Sequence, residues 1–421
     1  MITRVEALNY RSLRYINRPV NGINVLVGPN ASGKTTFIDV IVFLGDLVRN
    51  GLAQAIEKRT QNWIDLLWMR QGNRFQLALE AKIPESLQSK LSGVYKFVRY
   101  EVGISGMGVE KLPGIAHEVL SLHEEETPSS VDSPRTIFPV DYVPPSESDM
   151  TRKTGVRIVV SKVLGAVDSF NIETCEADEF GWLPSFKFGP LKSALANLPA
   201  DESKFPVAVW FRELLTSGIQ QMVLNSQFIR QASPPSRQMG FWPDGSNLPW
   251  VVERLRVASP QRFEDWLNHV RTALPDLRSI RTIERPDDRH RYLMVEYDGI
   301  GQVPSWMVSD GTLRLLALTL IAYLPEFTGL YLIEEPENGI HPRAIETIFQ
   351  SLSSMQGAQL LTATHSPVIL SVVEPKSVLC FAKTAEGATD IVSGSEHPRL
   401  QAWRGETNLS TLFAAGVLDH S

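Results

Sequence analysis

Gly28-Pro29-Asn30-Ala31-Ser32-Gly33-Lys34-Thr35 decides the fold, because no other stretch of the chain has the spacing G-x-x-x-x-G-K-[ST]. An apolar run, Val25-Leu26-Val27, enters it like a strand, and an apolar helix is predicted to leave it from residue 35 to about 48. Small residues let successive backbone N–H groups turn inward, and the helix start adds the positive end of its dipole. Both features suit phosphate. Lys34 is placed to reach β- and γ-phosphates, and the Thr35 hydroxyl to ligate Mg2+.

Far downstream, Leu330-Tyr331-Leu332-Ile333 reads as a buried strand that ends in Glu334-Glu335-Pro336-Glu337. In open α/β sheets ligands lie at the carboxyl ends of strands. Carboxylates after an apolar run are in isolation a solvated strand end. With a phosphate loop upstream, Glu334 is placed to accept the Mg2+ shell, and Glu335 to orient and deprotonate an attacking water. Asn338-Gly339-Ile340-His341-Pro342 then turns into a helix whose first position suits Pro342. Gln359–Ala363 is a further strand, and His365 stands just past its end, where an imidazole could touch a γ-phosphate and sense its loss. Val308-Ser309-Asp310-Gly311-Thr312 precedes a helix predicted over 312–324. Ser309 or Asp310 would cap that helix, and a serine with glycine-backed N–H groups at a helix start is also an anion site.

Around these motifs the chain divides into three segments. Residues 1–110 hold strand-like Ile2–Tyr10 and Ile23–Val27, the phosphate loop, and alternating runs at 74–81 and 97–104 that suit antiparallel strands. Residues 111–235 read as an insertion, loop-rich through Glu124-Glu125-Glu126-Thr127 and Pro134, Pro139, Pro144 and Pro145, then helical over 205–228. Residues 236–421 alternate again: a helix Pro260–Ala273 capped by Ser259, a hairpin of 278–284 with Arg291–Tyr297, then helix 312–324, strand 330–333, helix 342–355, Gln359–Ala363 and strand 377–382. The expected fold is α/β, a mixed and mainly parallel sheet with helices on both faces, beside an antiparallel β subdomain.

Composition narrows the class. At 421 residues, 43% hydrophobic and 21% charged, the chain can bury a large core. Its net charge of -6 gives no global pull toward nucleic acid or an anionic membrane. No apolar run reaches the ~18 residues of a membrane span, and the N-terminus has no signal core, so the expected location is cytoplasmic with no membrane contact. Cys175 and Cys380 read as ordinary reduced thiols. His117 and His123 with Glu118, Glu124, Glu125 and Glu126 read as a solvated acidic surface rather than a metal site. Arg152, Lys153, Arg157 and Lys162 are scattered surface charges that could track nucleic-acid phosphates.

The set GPNASGKT, VSDGT followed by LRLLALTL, LIEEPENGIHP and THSP resembles the AAA-domain ATPases of the ABC group, whose relatives include RecF, the heads of SMC-type chromosome proteins and the OLD nucleases. Asp244-Gly245-Ser246-Asn247-Leu248, and Gly405-Glu406-Thr407-Asn408-Leu409 running into Leu412-Phe413-Ala414-Ala415-Gly416, are similar to the same group. The resemblance implies ATP and Mg2+ as ligands, with Gly28, Pro29, Asn30, Ala31, Ser32, Gly33, Lys34, Thr35 and Thr36 on the nucleotide. It implies Glu334 on the metal, and Lys34, Glu335 and His365 in catalysis. Ser309, Asp310 and Gly311 would act on the ATP of a second copy, making the chain a homodimer or higher even oligomer. The glutamine loop is open among Gln61, Gln71 and Gln76. The long coiled coil of SMC proteins is missing, and residues 366–421 are too few for a Toprim nuclease domain. Two functions follow as expectations: an ATPase that controls a separate effector, such as an HNH or Toprim nuclease, in bacterial antiviral defence, or a RecF-like ATP-dependent DNA clamp.

Overall fold

The computed structural model describes residues 1–127, 137–141, 144–145, 155–175, 185–235, 240–324 and 327–399. Arg152, Lys153 and the 405–416 stretch lie outside them. In chain order the strands are β1 (Ile2–Tyr10), β2 (Leu13–Pro19), β3 (Ile23–Val27), β4 (Arg74–Lys82), β5 (Phe97–Met107), β6 (Leu112–His123), β7 (Val156–Val163), β8 (Asp168–Phe170), β9 (Ser185–Phe186), β10 (Ile219–Met222), β11 (Leu277–Glu284), β12 (Arg291–Tyr297), β13 (Gly301–Pro304), β14 (Leu330–Glu334), β15 (Gln359–Ala363), β16 (Val378–Lys383) and β17 (Thr389–Ser393). The helices are α1 (Lys34–Asn50), α2 (Leu52–Glu57), α3 (Glu85–Gln88), α4 (Pro206–Thr216), α5 (Ser226–Ile229), α6 (Leu248–Ala258), α7 (Pro260–Ala273), α8 (Asp310–Leu320), α9 (Pro342–Ser353) and α10 (Pro367–Val372).

The chain divides into two compact units, one of Met1–Ile219 resumed at Lys376, the other of Gln220–Pro375. In the first, an antiparallel sheet runs in the order β2-β1-β4-β5-β6-β7-β8-β9. Its apolar alternation lays Tyr10 and Phe75 against Phe43 of α1, with ring centroids 5.1–5.8 Å apart. Burying each such ring contributes roughly 1.5–3 kcal/mol. Beside it β3 and β16 pair in parallel, and β17 returns antiparallel to β16. Helix α4 crosses α1 at Gly45, where a Cβ would stand 2.8 Å from the Leu215 carbonyl oxygen, and Arg49 donates to the Thr216 carbonyl.

The second unit holds β10, β14 and β15 side by side, β14 and β15 parallel in the register Leu330↔Gln359 through Glu334↔Ala363. Its other sheet is the antiparallel meander β11-β12-β13. Two strands buried on both faces need near-continuous apolar runs, and Tyr331, Leu332, Ile333, Leu360 and Leu361 supply them.

Several expectations differ from this picture. The sheet does not stop near residue 110: β5 and β6 form one hairpin across it, and β7–β9 continue from β6. The physical reason is that β6, left as an edge, would carry an unpaired row of buried backbone groups. The three segments read from sequence therefore do not coincide with the two units. Within 205–228 a short strand, β10, separates α4 from α5. Ser259 does precede α7, yet its hydroxyl makes no cap bond, and Pro260 takes the first helical position as expected. Helix 312–324 starts earlier, at Asp310, and its tail beyond Leu320 tightens into 3-10 geometry through Tyr323. Strand β17 had no expectation at all.

The acidic surface proposed around His117 is also corrected at its centre. Glu118 is fully buried and accepts hydrogen bonds from Tyr100 Oη (2.9 Å), Ser193 Oγ (2.6 Å), Ala194 N (2.7 Å) and Leu195 N (2.9 Å). It pins the 193–195 turn to the sheet instead of facing water. Among the described residues no group of His, Cys, Asp and Glu could hold a metal ion.

Candidate nucleotide site

The phosphate loop sits between β3 and α1 of the first unit. Ala31 has φ 62°, Gly28 147° and Gly33 108°, so the backbone curls through left-handed geometry that glycine tolerates and alanine resists. Packing adds a second demand for glycine. A Cβ on Gly28 would overlap the Phe381 carbonyl oxygen of β16, and one on Gly33 would overlap Thr389 Oγ1 of β17. Lys34 folds back so that its Nζ donates to Gly28 O (2.7 Å) and Pro29 O (2.9 Å), across the mouth of the loop. Asn30 is exposed, Ser32 buried, and Thr35 and Thr36 lie in the first turn of α1.

These residues fit a polyphosphate. The α1 N-terminus has no side-chain cap and its first turn contains no acid, so the positive end of its dipole favours an anion there.

The second unit holds the carboxylates. Glu334 ends β14 opposite Ala363 of β15. Glu335 follows at φ 48°, its N–H donating to Ala363 O at 2.8 Å, which extends the ladder one residue beyond the strand. A non-glycine residue there carries about 1–2 kcal/mol of backbone strain. Its carboxylate accepts from the Asn338 side-chain amide, and Asn338 N donates to Glu335 O at 3.0 Å. The turn thus holds its own carboxylate in place. His341 N-caps α9 by accepting from Arg343 N, and Pro342 takes the first helical position.

His365 is positioned by Glu337, a residue sequence reasoning left without a role. Glu337 Oε1 accepts from His365 N (2.8 Å) and from Thr364 Oγ1 (2.7 Å). One carboxylate so ties the turn after β14 to the end of β15. The third acid in Glu334-Glu335-Pro336-Glu337 was the available signal.

Ser309 is the N-cap of α8, its Oγ accepting from Thr312 N at 3.2 Å. Asp310 pairs with Arg230, which also donates to Trp306 O at 3.3 Å. Arg230 offsets the negative charge that Asp310 brings to the α8 start. Gly311 is required by close approach, since a Cβ would lie 2.7 Å from the Gly339 carbonyl oxygen. The 309–311 turn and the turn after Glu335 therefore lie against each other.

A cleft of about 180 Å³ opens beside Glu334, lined by Gln221, Leu224, Arg314, Leu318 and Pro336 among others. Of the glutamines expected for a phosphate-adjacent loop, Gln76 is buried within β4 and Gln71 follows a 3-10 turn. Arg157 donates to Ser92, Ile172 and Cys175, and Lys162 to buried Asp168, so both face inward instead of tracking phosphates.

Three comparisons bear on this geometry. The profile of a family described as "AAA domain, putative AbiEii toxin, Type IV TA system" matches residues 23–89 and 178–371. A DNA replication and repair protein RecF from Nitrosococcus oceani is 44% identical over 45 residues, 10% of this chain and 12% of that protein's length. An SMC head solved bound to the C-winged helix domain of ScpA superposes with TM-score 0.53 at 13% identity, covering 93% of this chain and 97% of that one. The SMC head of Pyrococcus furiosus with an extended coiled coil, bound to the C-terminal domain of ScpA, gives TM-score 0.51 at 12% identity, covering 95% and 98%. At such identities the likeness establishes the fold.

Proposed function

The chain belongs to the family described as "AAA domain, putative AbiEii toxin, Type IV TA system", on the fold of SMC-like ABC ATPase heads, and from that premise we propose that it binds Mg-ATP and hydrolyses it between two copies of itself to control a separate effector. The observation that carries this reading is the phosphate loop, with an uncapped, acid-free helix start and Lys34 lying across its mouth. Gly28 through Thr36 hold the phosphates, with Pro29, Asn30, Ala31 and Ser32 supplying the turn and Lys34 the charge that follows the γ-phosphoryl group. Thr35 and Glu334 would hold Mg2+, which when bound would neutralise phosphate charge. Glu335, oriented by Asn338, takes the proton of the attacking water, and His365 senses the γ-phosphate. Ser309, Asp310 and Gly311 close over the nucleotide of the second copy.

The biological role in this proposal is defence of a bacterial cell, with an effector such as an HNH or Toprim nuclease supplied by another chain; the match to a family whose description includes a type IV TA system supports the defence part of it. No described helix is long and apolar enough to cross a membrane. The test is phosphate release and oligomeric state measured on wild type, Glu335→Gln and Lys34→Ala. Glu335→Gln is expected to retain ATP and accumulate as a dimer with turnover reduced at least 100-fold, and Lys34→Ala to bind no ATP. Equal turnover in all three refutes the site. The effector is expected to copurify from the native host.

The 45-residue likeness to RecF favours a second reading, an ATP-dependent DNA clamp. It requires duplex binding that appears only with ATP and falls steeply with salt. DNA mobility unchanged by ATP removes it.

A further inference from the structure

We propose that Thr389, on β17, is a positioning residue that aims the Gly33 N–H of the phosphate loop at the bound nucleotide, through a relay Ser12 → Thr389 → Ser32; this rests on the ATP-binding reading above. The geometry is specific. Thr389 is buried and its Oγ1 lies 2.9 Å from the Ser32 carbonyl oxygen and 3.0 Å from Ser12 Oγ. A carbonyl oxygen can only accept, so the threonine proton goes to Ser32 O, and the Ser12 hydroxyl must then donate to Thr389 Oγ1. The same two residues are tied again by Thr389 N donating to Ser12 O at 2.9 Å.

The consequence follows from peptide geometry. In a planar trans peptide the C=O of Ser32 and the N–H of Gly33 point in opposite directions. Drawing the Ser32 carbonyl back toward β17 turns the Gly33 N–H the other way, into the loop. Rotation about that peptide is further blocked because any outward swing of Gly33 meets Thr389, whose Oγ1 already occupies the space a Cβ would need. Ser32 Oγ is buried with no hydrogen-bond partner among the described residues, so the residue is anchored by its backbone, its N–H donating to Pro29 O at 3.2 Å and its carbonyl accepting from Thr389. An N–H held in place before binding costs no reorganisation when the phosphate arrives.

An aimed N–H contacts phosphate alike in ground and transition states, so the relay acts on affinity more than on turnover. Thr389→Val keeps shape and removes the hydroxyl; Thr389→Ser keeps the hydroxyl and removes the methyl. Calorimetric titration with Mg-ATP is expected to show Thr389→Val about 10-fold weaker and KM raised to match, with kcat at saturation within about twofold and Thr389→Ser within about twofold of wild type throughout. Wild-type affinity in Thr389→Val, or equal defects in both variants, overturns the relay. Should Thr389→Val fail to fold, Ser12→Ala reads the same chain of bonds: about 3-fold weaker binding supports it, and unchanged binding overturns it. Lys34→Ala run in parallel separates the two levels. If Lys34→Ala binds ATP like wild type, the ATP site itself is wrong; if it loses ATP while Thr389→Val does not, only the relay fails.

Discussion

Glu335 is held at φ 48° by two restraints of different kind, a backbone bond to Ala363 and a side-chain bond from Asn338. The first fixes where the residue leaves the strand, and the second fixes where its carboxylate points. If the carboxylate acts as base, loosening it should cost turnover rather than affinity. Asn338→Ala is expected to lower kcat about 10-fold with ATP affinity unchanged, read by steady-state hydrolysis beside nucleotide titration. Arg230 poses the complementary case on the 309–311 turn. Arg230→Ala leaves Asp310 unpaired at the α8 start, so ATP-driven dimerisation should weaken several-fold at low salt and recover toward wild type as salt rises, measured by sedimentation with Glu335→Gln as background. Both side chains sit next to residues the motif names, and no spacing rule marks them. Their roles depend on which atoms the turn brings within hydrogen-bond reach.

Among the elements, α4 shows how a helix remote from the motifs bears on them. Its N-cap position is Phe205, which has no capping side chain, and the orphan N–H groups of Val207 (2.6 Å) and Ala208 (2.8 Å) go to Glu173 instead. Burial pushes the Glu173 carboxyl up to about 7 in spite of those bonds. The folded pKa is above the unfolded value near 4.5, so the folded state holds more protons between the two, and stability falls as pH rises from about 4.5 to 7. Glu173→Gln, which removes the titrating carboxyl and keeps one oxygen to accept one of the two bonds, is expected to lower the melting temperature overall and to remove that slope when it is recorded from pH 5 to 8. Since α4 packs on α1 at Gly45, loss of the cap by Glu173→Ala should lower the melting temperature, by about 1–2 kcal/mol of stability. The residues of α4 were legible as helical, but its cap was not, because Glu173 is remote in sequence and reaches the helix only through the fold.

For the molecule as a whole, His397 supplies the opposite acid response. It is buried, its ring stacks edge-on to Phe138 at 5.2 Å, and neither nitrogen has a hydrogen-bond partner among the described residues. Burial, then the charge of Arg399, holds its pKa down to about 4. Its folded pKa lies below the usual 6.5, so this contribution is full above pH 6.5 and lost as pH falls toward 4. Each group contributes on the order of 1–3 kcal/mol across its window. Between pH 4.5 and 6.5 the contributions of these two groups oppose each other. His397→Phe is expected to expose the falling Glu173 limb, and Glu173→Gln the rising histidine limb; parallel profiles for all three proteins would contradict both assignments.

Local chemistry determined the parts of this protein that repeat a fixed spacing. The phosphate loop, the strand ending in Glu334 and Glu335, the strand before His365 and the start of α8 each announce themselves within a dozen residues, because their side-chain period and turn residues are short-range facts. Only the tertiary structure decided that β6–β9 continue the first sheet, that Glu118 and Glu173 are buried anchors, that Glu337 holds the segment bearing His365, and that Thr389 stands behind Gly33. Each of those is a pairing of residues distant along the chain. Whether a carboxylate is solvated or buried, or a threonine surface or buttress, depends on what the folded chain places against it, and composition at one position carries no record of that neighbour.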